Sequence, residues 1–340
     1  AGTGELAGAI SDLGGNVISL NKYGTGNWTL SGNNSYSGNT TIKDTGSLKL
    51  SSTAALSQKS SLLGSSSGAT VGTLDLQAGG DYVANSYGTA ATGGFNMNFT
   101  NSSGSAATLR FTNAENYVTL AAASSGGRTL LNQSSNLDVK FDGNIEIGSS
   151  SNEVVAFGGA GNFRVDGSIK NSGTGVRGLQ KTGEGTLTLA GSGNNYNGST
   201  SVKTGTLSLL GSLTGSTDVN VGTSGAITTS STTRTATATL DVVSGAALRN
   251  DSTTTVYSGG NLIVNGTAGG VVLENNGLLS GSGIVGAVTL KSGSFLTPGN
   301  SPGTLTAASS SWGAGSTYNW EINQATGGTA GVNWDLFSVV

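Results

Sequence analysis

The chain has 340 residues, 58 of them glycine, with no cysteine, no histidine, 10% charged residues and a formal net charge of -3. It lacks the basic stripe of a nucleic-acid binder, the apolar run of about 18 residues that a helical membrane span needs, and, without histidine, the commonest general base and metal ligand. The glycines keep no every-third spacing, so collagen is excluded, and Leu, Val and Ile recur at period two, which predicts strands rather than disorder.

In chain order, residues 4–13 read either as one short helical turn or as an opening loop with the first strand. Short strands are then expected at 17–20, 27–30, 40–43, 47–50, 69–76, 95–99, 107–111, 117–120, 137–141, 145–147, 153–157 and 163–169. The second half adds strands at 186–189, 200–203, 206–210, 219–221, 238–243, 247–249, 254–257, 261–264, 271–274, 283–285 and 287–290. The last are expected at 295–297, 304–307, 317–322 and 334–340. Gly, Asn and Ser separate them.

One pattern occurs twice. Leu20, Lys22, Gly24, Gly26, Trp28, Leu30 and Gly32 recur as Leu179, Lys181, Gly183, Gly185, Leu187, Leu189 and Gly191. Asn34, Tyr36 and Gly38 recur as Asn194, Tyr196 and Gly198. Such spacing suits a β-sandwich array or a parallel β-helix. The β-helix explains more, because small Ser-Gly and Asn-Gly turns introduce short strands again and again. With about 20–25 residues per coil, the chain is expected to form an all-β parallel β-helix (β-solenoid) of about 15 coils. It is expected to be one continuous body over 1–340, with repeat copies at 20–50 and 179–209 and a Pro-Gly and aromatic segment at 281–340. A stacked sheet of this kind needs no disulfides.

The two copies resemble the passenger-associated strand repeat of bacterial autotransporters. Gly281 to Leu290 and Leu296 to Leu305, with Pro298, Gly299, Pro302 and Gly303, are similar to a second segment of the same surface-protein group. Trp320 and the stretch Asn333 to Phe337 resemble the region that follows it. The resemblance implies a β-helical passenger, extracellular or on the bacterial cell surface, with its signal peptide already removed. It implies no particular activity. An autotransporter continues into a membrane β-barrel, so this chain is expected to be a processed passenger, a fragment, or a subunit whose next coil comes from elsewhere.

Candidate sites are few. Gly158 to Phe163 puts Phe163 where calcium-binding rolls carry aspartate, and reads as a structural turn. Asp138, Asp142, Glu146, Glu153 and Asp166, with Lys140, Arg164 and Lys170, form the clearest acidic grouping. A glycosidase would need two of these carboxyls within about 5–10 Å; scattered outward positions are the expected reading. Gly64 to Gly68 and Gly299 to Gly303 spell a nucleophile elbow, but neither leads into a helix and no histidine exists to pair with the serine. Trp312, Tyr318, Trp320, Trp334 and Phe337 are read as a plug or assembly face before a sugar platform. No catalytic residue, cofactor or metal is expected.

An open sheet edge templates another strand. Leu6, Ile10 and Leu13 on one side, and Trp334, Leu336, Phe337, Val339 and Val340 on the other, are therefore expected to form a head-to-tail contact. A contact of that kind that does not close makes a filament. The expected function is an extracellular structural protein, a fibre subunit or surface stalk, and not an enzyme. The alternatives are a monomeric adhesin passenger and a β-helical carbohydrate-binding or polysaccharide-degrading protein, with a surface glycan or a ligand on a host or neighbouring cell as partner.

Overall fold

Period-two alternation with glycine punctuation folds into parallel ladders. The computed structural model describes residues 2–64, 71–90, 96–119, 128–148, 152–216, 218–224, 237–324 and 326–340. These residues contain no helix, and every pairing between their named strands is parallel, as in a parallel β-helix. The chain divides into two compact units, Ala1–Arg177 with Glu184–Leu187, and Gly178–Gly183 with Thr188–Val340.

In the first unit one ladder climbs through Gly4–Leu6, Trp28–Leu30, Ser47–Leu50, Gly72–Leu76, Met97–Asn101, Arg128–Asn132 and Glu153–Gly159. A second stacks Gly80–Ala84, Ala107–Phe111, Leu137–Phe141 and Asn162–Val165. A third stacks Glu115–Thr119, Asn144–Gly148 and Ile169–Asn171. Leu20–Lys22, Thr40–Ile42, Ser61–Leu63 and Ser86–Tyr87 form the fourth. In the second unit one ladder runs Thr200–Val202, Asp218–Val221, Thr253–Val256, Gly270–Leu273, Ile284–Leu290, Thr304–Trp312 and Leu336–Val339. Beside it stack Gly205–Leu209, Ala238–Val242, Gly260–Val264, Leu278–Gly281, Phe295–Pro298 and Thr317–Tyr318.

Alternation turns each ladder into apolar columns. Leu207, Leu240, Leu262, Leu279 and Leu296 lie one above another and all are buried. Ala84, Phe111, Phe141 and Val165 do the same in the first unit, where Phe111 and Phe141 stack at 5.0 Å and Tyr87 meets both edge-on. Each buried leucine contributes about 1.5–3 kcal/mol from burial. Corners are closed by side-chain amides: Asn101 Nδ2 donates to the carbonyls of Ser105 and Asn136, and Asn132 Nδ2 to those of Leu137 and Asn162.

Coils differ in length. Neighbouring rungs are 17 residues apart at Asn265 and Ser282, 20 at Asn27 and Ser47, and 33 at Asn96 and Thr129. Residues 4–13 prove to be strand and loop, not helix. The strand expected at 17–20 is displaced to Leu20–Lys22, because Asp12 Oδ1 accepts the Ile18 N–H at 2.9 Å and holds that stretch as a loop. The strands expected at 317–322 and 334–340 shorten to Thr317–Tyr318 and Leu336–Val339. Those expected at 69–76, 95–99 and 117–120 extend beyond the described residues, which leaves Gly72–Leu76, Met97–Asn101 and Glu115–Thr119.

Candidate functional site

The repeated motif builds a polar interior, and it builds it the same way twice. Lys22 shares the inward phase of Leu20, and Lys181 that of Leu179, so both lysines enter apolar columns and pair in register with Ile42 and Val202. Each ammonium caps the turn that follows it. Lys22 Nζ donates to the carbonyls of Tyr23 and Gly24 at 3.1 and 2.7 Å. Lys181 Nζ donates to those of Thr182 and Gly183 at 2.7 and 2.8 Å. Burial lowers the Lys181 ammonium to about 8. It lowers Lys22 as well, with Asp44 working the other way.

The turn glycines have separate reasons. Gly24 and Gly183 sit at φ 71° and 70°, where a side chain is strained. A Cβ at Gly26 or Gly185 would lie 2.0 Å from the carbonyl oxygen of Gly2 or Gly161, one rung below. Further along, Tyr36 and Tyr196 are buried, and each hydroxyl bonds a threonine: Tyr36 to Thr40 and Tyr196 to Thr200, both at 2.7 Å. A serine on the next rung completes each chain, Ser60 at 2.7 Å and Ser216 at 3.1 Å. Burial raises both phenols above their ordinary value.

Removing these groups tests the interior. Tyr196→Phe is expected to cost about 1 kcal/mol, the net worth of one hydrogen bond. Lys181→Met is expected to cost about 2 kcal/mol by leaving buried carbonyls without a donor. The lysine has a further signature. Its folded value is depressed from 10.5 to about 8, so the unfolded chain binds more protons between the two and native stability rises with pH across that window. Urea denaturation of wild type and Lys181→Met at several pH values reads this slope, which the variant lacks.

The acidic grouping does not come together as one site. Asp142 and Asp166 belong to an outward lattice: Arg110 Nε bonds Asp142 at 2.7 Å, and Lys140 Nζ and Arg164 Nε reach Asp166 at 2.9 and 2.6 Å. Burial opposes ionisation of Asp166, but Lys140 and Arg164 outweigh it and hold the carboxyl below its usual value. Asp138 Oδ1 accepts from Asn162 Nδ2 at 2.9 Å. Beside it is a shallow groove of about 370 Å³ lined by Asp81, Thr108, Ser135, Asn136, Asp138 and Asn162. Glu146 sits on another ladder, with Lys170 Nζ at 4.0 Å. The Glu153 side chain lies outside the described detail, and so does most of the Gly64–Gly68 turn. Ser301, in the other serine turn, donates to Glu321. Gly158 and Gly159 close a strand and Phe163 is a buried core residue.

Of the residues expected at an interface, Leu6 and Leu13 are exposed, and Ile10 is half-buried with its N–H donated to Asn34 Oδ1. In the second unit Trp334, Leu336 and Phe337 are half-buried, whereas Val339 and Val340 are exposed. Phe337 and Val339 pair with buried Leu305 and Ala307 and so face inward; Leu336, opposite Thr304, faces the other way. Trp312 meets Tyr318 and Phe337 edge-on at 6.1 Å each. Sequence reasoning missed Asp335, which is only 2% exposed. Its two oxygens accept the N–H groups of Gly303 and Glu321 at 3.0 and 3.1 Å.

The family model of the passenger-associated transport repeat matches residues 20–50 and again residues 179–209. No curated protein and no solved structure matches the chain. Among the described residues no helix is long and apolar enough to cross a membrane.

Proposed function

We propose, from the premise that this chain carries two passenger-associated transport repeats and is a β-helical protein of the autotransporter-passenger type, that it is an extracellular structural protein whose copies stack end to end. The repeat family implies an extracellular or surface-exposed setting; fibre or stalk is the finer proposal. The observation that carries it is a set of core positions still open to solvent. Trp312 continues the column of Leu273 and Leu290 yet is 46% exposed, and Tyr318 continues that of Leu279 and Leu296 yet is 39% exposed. In the first unit Leu6 continues the column of Leu30 and Leu50, and a cavity of about 410 Å³ opens among Leu6, Leu20, Trp28, Leu30 and Leu48. A further parallel rung would cover each of these surfaces and pair the free strand edge.

Electron microscopy and sedimentation of the purified chain over a range of concentrations test the proposal. Filaments are expected, with Phe337→Asp or Leu6→Asp abolishing them while far-UV circular dichroism is unchanged. Single particles at every concentration would overturn end-to-end assembly. One observation favours a second reading, an adhesin. The groove at Asp81, Asp138 and Asn162 is lined by carboxylates, amides and hydroxyls, with no cation in its lining. Such a surface suits a neutral saccharide. Glycan-array binding that Asp138→Ala weakens would support it.

A further inference from the structure

We infer that a protonated Glu146 donates to Glu115 and that the pair forms a pH-sensitive clasp between two neighbouring coils of the first unit. Their strands, Glu115–Thr119 and Asn144–Gly148, are adjacent and parallel, in the register Glu115 to Asn144 and Tyr117 to Glu146. The two glutamates therefore lie on one face of the ladder as diagonal neighbours, within reach of each other. Asn144 Nδ2 donates to Glu115 Oε1 at 2.7 Å, which satisfies one oxygen of that carboxylate. Its other oxygen, Oε2, is shut off from solvent and has no hydrogen-bond donor among the described residues. A dry, unpaired carboxylate oxygen is costly.

Besides Asn144, the Glu146 carboxyl reaches Glu115. Two carboxylates cannot bond each other. With a proton on Glu146, its hydroxyl donates to Glu115 Oε2 and the orphaned acceptor is filled. The Glu146 side chain is 17% exposed, so water does little of this work. The surroundings are thinly charged. Lys170 Nζ, from Ile169–Asn171, stands 4.0 Å from Glu146 Oε1, Ser172 bonds the same carboxyl, and Tyr117 is opposite in register. On the far side of Glu115–Thr119, the strand Ser86–Tyr87 brings no carboxylate and no cation. Burial, then the charge of Glu115, push the Glu146 carboxyl above its ordinary 4.5, and Lys170 and Ser172 do not cancel this.

The direction of the pH effect follows. The folded chain holds this proton more tightly than the unfolded chain, so its contribution is complete below 4.5 and is lost as pH rises through the folded value. Above that, two ionised carboxylates repel across the rungs and the clasp opens. Carbon-detected NMR of the glutamate carboxyls, recorded against pH on the full chain, is the test. Glu146 is expected to titrate above 4.5. In parallel, the Tm of wild type falls over that range, whereas Glu146→Gln, whose amide donates at any pH, shows a flat profile. Titration of Glu146 at the ordinary 4.5 would overturn the clasp, as would identical Tm profiles for wild type and variant. If Glu146→Gln does not fold, the wild-type titration decides alone.

Discussion

Truncating Phe141 to alanine is expected to lower the stability of the first unit by about 3–5 kcal/mol. The ring is fully buried, stacks on Phe111 at 5.0 Å and meets the edge of Tyr87 at 6.2 Å. Phe111 and Val165 occupy the same column on the rungs to either side. Strand spacing of about 4.8 Å fixes those rungs, so the hole left by the ring cannot collapse. Urea denaturation followed by circular dichroism measures the loss. Thr25→Ala, at an exposed position in the first unit, is the control and is expected to change stability by no more than about 0.5 kcal/mol. A loss below about 1 kcal/mol for Phe141→Ala would mean that the interior is not close-packed.

Asp335→Ala is expected to cost about 2–4 kcal/mol, because it leaves two N–H groups without their acceptor. Gly303 and Glu321 donate to separate oxygens of this carboxylate, and the Trp320 indole N–H bonds the Asp335 carbonyl at 2.7 Å. The residue thus ties the turn around Pro302 to the segment around Glu321 and to its own strand. Asp335→Asn keeps one acceptor oxygen and is expected to lose about half as much. Denaturation of the two variants, with limited proteolysis across 299–303, separates lost bonding from general unfolding. Equal stability of wild type and Asp335→Ala would show that the tie carries no weight. Exposed Asp218 supplies a carboxylate whose removal should change stability by no more than about 0.5 kcal/mol.

These two residues were unequally legible in the sequence. Phe141 stands in strict alternation with Leu137 and Val139, so its inward phase follows from period two alone. Asp335 stands beside Trp334 in a strand-like stretch, and nothing local says that its carboxylate turns inward to meet a turn some 32 residues earlier. The buried lysines fall between these cases. Lys22 and Lys181 share the phase of Leu20 and Leu179, and a charge on the apolar phase of a strand is a signal that could have marked them. The repeat is legible as a pattern, but the carbonyls that receive each ammonium are fixed only by the turn geometry.

The outward charges show the same limit. The stretch from Asp138 to Lys170 places Asp142 and Asp166 near Lys140 and Arg164 in sequence as in space, yet Glu115, the neighbour of Glu146, lies outside that stretch. Rungs here lie 29 residues apart between Glu115 and Asn144 and 24 apart between Asn144 and Ser168. With a coil of uneven length, spacing in sequence does not give spacing in space.

By itself the sequence determined the parallel strand texture, the duplicated motif and the split between apolar interior and Ser, Thr and Asn exterior. Those follow from local preferences: the two-residue period of a strand, the backbone freedom of Gly24 and Gly183, and the alternation that buries leucine. Only the tertiary structure decided which rung meets which, and therefore which lysine is caged, which carboxylates share a face and which aromatics are left open. Register between coils is set by the length of the intervening turns and by backbone hydrogen bonds between rungs. Neither leaves a periodic mark in the chain when neighbouring rungs are 17 residues apart at Asn265 and Ser282 and 35 apart at Asp218 and Thr253.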